Sequence, residues 1–378
     1  MISVRIVSAT FMAAAAPLGF GSVDPGSVDL GSVGPGSTGA ALEIHYVNTQ
    51  TVADDLEYGG YKVGGLSGID YAPDLNTYAA ISDNRGEAGP VRMYTLTLPV
   101  DPTGTLGAPR FDSLVQLADT DGKPYVPRAS DTESVRWTPD RKGFVYTSEG
   151  EAKIGRPGFI RQATADGRFV ADFPVPDAYT PRLDQDGKPA SGIRDNLGFE
   201  AMDLSRDGST IVAVSENALV QDGPAASVDG ESPARLVEID RRTGADLGEY
   251  VYPVDRVAPG AMPVATGVAE IVSVDDHTFL ALERSLIPGV GFTGKIYETS
   301  TRGADNVAGA AAITGTERKM TKRLVFDFGS LGMDPQCVEG MTWGPRLPSG
   351  DRSLVLVSDN NFGLAGRTSF HLLAVAGG

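Results

Sequence analysis

Short apolar runs with period-two alternation recur along the chain, separated by turn residues, and five of them share one design. The stretches are GLSGIDYAPDLNTYAAISDN, TESVRWTPDRKGFVYTSEG, FEAMDLSRDGSTIVAVSEN, AEIVSVDDHTFLALERS and VEGMTWGPRLPSGDRSLVLVSDNN. Each opens on an anchor position, occupied in turn by Ser67, Glu133, Glu200, Glu270 and Glu339, spaced by 66, 67, 70 and 69 residues. Apolar residues follow two and four places on: Ile69 and Tyr71, Val135 and Trp137, Met202 and Leu204, Val272 and Val274, Met341 and Trp343. Alternation places them on one strand face with the anchor. Turn residues come next, such as Pro73-Asp74, Pro139-Asp140 and Asp207-Gly208, and they predict a tight reversal. A β-branched run then ends on a second acid: Asp83, Glu149, Glu216, Glu283 or Asp359. In an antiparallel pair the start of one strand lies beside the end of the next, so both acids belong to one sheet edge.

Two more strand-like runs follow in each unit: VRMYTLTL and FDSLVQL, GFIRQAT and RFVADFPV, ARLVEID and GEYVYPV, KIYETS and KRLVFDF. The last unit has only FHLLAVA, and ALEIHYV near residue 42 supplies its missing outer strand. Four-stranded units that close a ring predict an all-β propeller. The count is five blades, with six as the alternative. A closed ring removes the exposed strand edges that an open sheet would leave.

Residues 1–20 carry Arg5 and a short apolar run ending in small residues, which reads as a signal peptide. Residues 21–40 form a Gly/Ser/Pro-rich linker, leaving 41–378 for the propeller. This layout predicts a secreted or cell-envelope (periplasmic) protein with no transmembrane segment in the mature chain, acting as a monomer. The net charge of −17 argues against nucleic acid, since no basic stripe exists to neutralise phosphates. Cys337 is the lone cysteine and reads as a buried strand residue.

Three histidines are too few for common hydrolase designs. His277 sits at a turn, while His45 and His371 read as partners on adjoining strands of the closing blade. No G-x-S-x-G elbow, P-loop or zinc-ligand set is present. Oxygen ligands remain. Nine carboxylates at one mouth (Asp83, Glu133, Glu149, Glu200, Glu216, Glu270, Glu283, Glu339 and Asp359) cannot all stay ionised without positive charge among them. A divalent cation, Ca2+ before Mg2+ or Mn2+, would supply it. Arginine pairing and raised pKa values are the competing remedies. Arg85 and Arg284 follow answering acids and suit either an anionic substrate or an inter-blade ion pair.

The same stretches resemble the phytase-like family described as having esterase-like activity of phytase. The resemblance rests on GGLSGIDYAPDLNTYAAISDNRG, GFEAMDLSRDGSTIVAVSEN, GVAEIVSVDDHTFLALERS and VEGMTWGP with VLVSDNNF, and runs from about residue 42 onward. It implies an exported propeller linked to phosphoric ester hydrolysis. The general design is similar to that of calcium-dependent propeller phytases, which have six blades.

These readings combine into one expectation, a metal-dependent hydrolase for a small anionic ester. Asp83, Glu133, Glu200, Glu270, Glu283, Glu339 and Asp359 are the expected cation ligands. Glu216 or Glu149 takes the proton, and Arg85, Arg284 and Asn360 hold substrate. A non-enzymatic ligand- or protein-binding propeller and a lactone- or sugar-processing propeller are the alternatives.

Overall fold

A computed structural model describes residues 42–257, 265–287 and 289–376, so the expected leader and linker lie outside the described residues. The described chain forms five four-stranded antiparallel sheets, each wound from an inner to an outer strand. Blade one is Leu66–Ala72, Thr77–Ser82, Arg92–Thr97 and Arg110–Gln116. Blade two is Thr132–Trp137, Gly143–Ser148, Phe159–Thr164 and Phe169–Phe173. Blade three is Phe199–Leu204, Thr210–Ser215, Ser232–Asp240 and Asp246–Val254. Blade four is Ala265–Ser273, Thr278–Ile287, Gly291–Ser300 and Thr321–Asp327.

Blade five combines Cys337–Trp343, Arg352–Asp359 and Ser369–Ala376 with the N-terminal strand Glu43–Thr51 at its outer edge. The protein is therefore a five-bladed propeller closed by strands from both ends of the described chain, as the repeat spacing predicts.

Each blade buries both faces, and this explains the nearly unbroken apolar runs of its second strand. On Gly143–Ser148, Phe144 and Tyr146 pack toward blade one, while Val145 packs toward blade three. One apolar cluster fills each junction around the ring. Leu282, Ile296, Leu354 and Leu373 meet between blades four and five; Ile69, Leu96, Val357 and Leu372 meet between blades one and five. Full burial of such side chains stabilises by roughly 1.5–3 kcal/mol each. Ring closure is therefore held by packing as well as by the ladder to Glu43–Thr51.

His371 and His45 lie on adjoining strands but are not opposite each other: His371 pairs with Thr49 and His45 with Ala374. His371 is buried between the hydroxyls of Thr49 (2.7 Å) and Ser358 (2.8 Å). Burial pushes its pKa down to about 4, so it is neutral at physiological pH. His45 stays at the surface, 3.8 Å from Glu43.

Candidate functional site: an acidic axial mouth

All five inner strands begin at the same end of the ring, and each carries a β-bulge there. The register shifts fall at Ser67, at Glu133 with Ser134, at Glu200, at Ala269 and at Glu339. A bulge leaves one residue unpaired and breaks the strict alternation of faces. The carboxylates of Glu133, Glu200 and Glu339 thereby line the mouth, although Val135, Met202 and Met341 pack between blades. The shared face expected from simple alternation does not extend across the bulge.

Blade four departs from the sequence alignment by one residue. Leu66, Thr132, Phe199 and Val338 pair with Ser82, Ser148, Ser215 and Ser358, and the equivalent pair in blade four is Val268 with Glu283. Ala269, not Glu270, is thus the counterpart of the anchor acids. Arg284, not Glu283, is the counterpart of Asp83, Glu149, Glu216 and Asp359. The fourth blade contributes a cation to the mouth where the other four contribute acids.

Glu283 points outward instead, pairing with Lys322 and accepting hydrogen bonds from the Tyr252 hydroxyl (2.8 Å) and the Asp255 N–H (3.2 Å). Glu270 lies one layer deeper on the axis. It accepts from Ser134 Oγ (3.0 Å) and the N–H groups of Met202 and Ile271 (3.1 Å each), and Arg136 Nη1 lies 3.1 Å away. Burial pushes Glu270 up to about 7 against the pull of Arg136. Neither residue joins the carboxylates of the mouth.

The remaining acids converge with Arg284 among them. Its guanidinium lies 3.0 Å from Glu339, 3.2 Å from Glu200 and 3.6 Å from Glu216. Burial opposes its charge, but these carboxylates outweigh that cost and keep it protonated. Arg85 pairs with Asp131 at 2.5 Å and also donates to the Asn196 side chain. Asn360 is occupied structurally, accepting from the Phe362 N–H (3.0 Å) and donating toward the Val63 carbonyl (3.4 Å). Cys337 is buried and its thiol donates to Glu339 (3.2 Å); burial pushes the thiol pKa up, so it is not thiolate.

Two arginines do not balance so many acids. Burial, then repulsion from neighbouring carboxylates, lifts Asp83, Glu133, Glu149 and Glu200 well above the usual carboxylate range. Burial lifts Glu216 to about 7 despite Arg284, and burial with Glu339 lifts Asp359 to about 7. Burial also raises Asp131 despite Arg85. Asp83 Oδ1, Glu216 Oε1 and Asp359 Oδ1 are buried without a hydrogen-bond partner. Two triplets, Asp131/Glu133/Glu149 and Glu149/Glu200/Glu216, each bring oxygen atoms within 4.8 Å of one another. Orphaned oxygens and closely grouped carboxylates fit a hard divalent cation. Above them opens a cavity of about 450 Å³, with Phe292 and Phe362 among its lining residues.

Asp131 escaped the sequence reading because it precedes the strand, two residues before Glu133. Arg136 escaped as well. It sits three residues after its anchor, where Asp70, Asp203 and Thr342 also stand, and that polar position was the available signal.

The fold is a closed five-bladed propeller with a buried carboxylate cluster at one axial opening. Residues 61–362 match the family described as "Phytase-like: Esterase-like activity of phytase". The chain belongs to this family. An uncharacterized secreted protein of Arthroderma benhamiae is 24% identical over 211 residues, covering 48% of this chain and 40% of that protein. Among solved structures, the beta-propeller domain of Cps50 (Swd1) from Myceliophteria thermophila aligns with 88% of this chain and 100% of its own, at 11% identity and TM-score 0.34. An auxiliary nutrient binding protein from Bacteroides thetaiotaomicron covers 88% of this chain and 76% of its own, at 11% identity and TM-score 0.33. Among the described residues no helix is long and apolar enough to cross a membrane.

Proposed function

We propose that this chain is an exported, divalent-cation-dependent esterase that hydrolyses small phosphate esters at the acidic mouth. The observation that carries the reading is the pair of carboxylate triplets sharing Glu149, bordered by Arg284 and Arg85. Membership of a family described by esterase-like activity supports ester hydrolysis, and the secreted relative supports export.

Asp131, Glu133 and Glu149 would hold the cation, Ca2+ by the hardness of the donors, with Asp83, Glu200, Glu339 and Asp359 around them. When bound, the cation supplies positive charge against the developing charge on the phosphoryl oxygens. Glu216, whose Oε1 is buried without a hydrogen-bond partner beside Glu149 and Glu200, would accept a proton from water. Arg284 steadies the anionic ester from within the cluster and Arg85 from its rim. Water oxygen would bond to phosphorus as Glu216 takes its proton, the ester P–O bond would break, and the leaving alkoxide would become the alcohol by taking a proton from solvent, Glu216 later releasing its own.

The full-length protein, assayed on p-nitrophenyl phosphate, phytate and p-nitrophenyl acetate, tests this. Phosphate-ester turnover that a chelator abolishes and Ca2+ restores is the expected result. Calcium-dependent stability without turnover on any ester would instead favour a binding propeller.

A further inference from the structure

The opposite end of the axis carries a second opening of different character. Its cavity, about 600 Å³, lies at the far ends of the inner strands, beyond the Arg136–Glu270 layer. Arg206, Arg346 and Arg352 all line it. Among the described residues none of the three has a carboxylate within ion-pair distance. Arg346 donates only to the Gly350 carbonyl (2.9 Å), and Arg352 stacks on Trp343, its guanidinium carbon 3.4 Å from the ring centre.

The acids in the same cavity are engaged elsewhere. Asp70 accepts from the Trp137 N–H (2.8 Å) and Thr342 (3.0 Å); Asp203 accepts from Arg136 (2.7 Å) and the Ser273 N–H (2.6 Å). Asp275 accepts from the His277 N–H (2.8 Å) and the Thr278 N–H (3.0 Å), with Arg302 at 3.6 Å. Burial, then repulsion from Arg346 and Arg206, lowers the pKa of Arg352. In a chain of net charge −17, three uncompensated guanidiniums around one cavity form a local reversal of sign.

We infer that this second opening is an oxyanion-binding site, in which Arg206, Arg346 and Arg352 receive a phosphoryl or carboxylate group of a small molecule. Guanidinium forks match the paired oxygens of such groups, and each contact is a charge-assisted hydrogen bond. Trp137 and Trp343 form part of the wall, and the buried indole N–H of Trp137 has no hydrogen-bond partner.

These are the only two tryptophans in the chain and both line this opening, so tryptophan fluorescence, excited selectively over tyrosine, reports on it directly. The test titrates pyrophosphate, and in a second arm citrate, into chelator-treated protein at matched ionic strength. A saturable fluorescence change is expected, weakened at least about tenfold in R206Q/R346Q and retained in E149Q. Both substituted arginines are exposed, so the double variant keeps the fold and the Arg352–Trp343 stack. No saturable change, or an unchanged midpoint in R206Q/R346Q, overturns the assignment. A response confined to phosphatidylglycerol vesicles, with none to either free anion, overturns it in favour of a lipid surface.

Discussion

Arg136 and Glu270 meet on the propeller axis, 3.1 Å apart and both buried, with backbone or side-chain groups of every blade around them. The Arg136 guanidinium donates to the carbonyls of Ile69 in blade one, Val135 in blade two, Ile271 in blade four and Met341 in blade five, and to the Asp203 carboxylate of blade three. The layer is narrow. A Cβ on Gly68 would lie 2.4 Å from the Glu133 carbonyl, and one on Gly340 would lie 2.8 Å from that of Ser67. Small residues in the other blades leave the axial space that Glu270 fills.

Removing one partner of such a pair strands a buried charge. Arg136→Met should cost roughly 3–5 kcal/mol, read from the denaturant midpoint at constant slope. Arg136→Lys should not rescue it, because an ammonium cannot reach five blades from one planar fork. A loss below about 1 kcal/mol would show that the hub contributes little.

The mouth predicts an inverted pH dependence for the cation-free protein. Its raised carboxyl pKa values mean that the folded state binds more protons than the unfolded chain between the ordinary carboxylate range and about pH 7. Stability is therefore fully present below the unfolded pKa and lost as pH rises through the folded values. Thermal unfolding in chelator should shift downward between about pH 5 and pH 8. Added Ca2+ should flatten that slope, its stabilisation growing with pH as the ligands lose protons.

Arg284 separates charge balance from simple packing. Arg284→Gln leaves Glu200, Glu216 and Glu339 without their cation, and it should lower kcat/KM on phosphate esters by roughly 10²-fold. The same variant should depend more strongly on Ca2+ for its melting temperature. An active variant with unaltered calcium response would remove Arg284 from the site.

Blade number, strand order and ring closure were legible because both faces of every blade are buried, so apolar runs and turns mark each strand. The anchors Glu133, Glu200 and Glu339 were legible for the same reason, as acids at the openings of apolar strands. Glu270 and Glu283 were misplaced because blade four carries its acids one position off the places that hold them elsewhere: Ala269 takes the bulge, Glu270 follows it, and Glu283 stands in the closing pair with Val268. The Arg136 hub left only one trace, the polar position it shares with Asp70, Asp203 and Thr342, since its partners are mostly backbone carbonyls, which carry no sequence signature.

The carboxylates sharing Glu149 are proposed to hold a divalent cation. Calorimetric titration of Ca2+ into chelator-treated protein near pH 7.5, in two buffers of different ionisation heat, tests it most directly. A saturable site with proton release, weakened more than about tenfold by E149Q, is the predicted result. Absence of saturable heat, or equal affinity in E149Q, would contradict it.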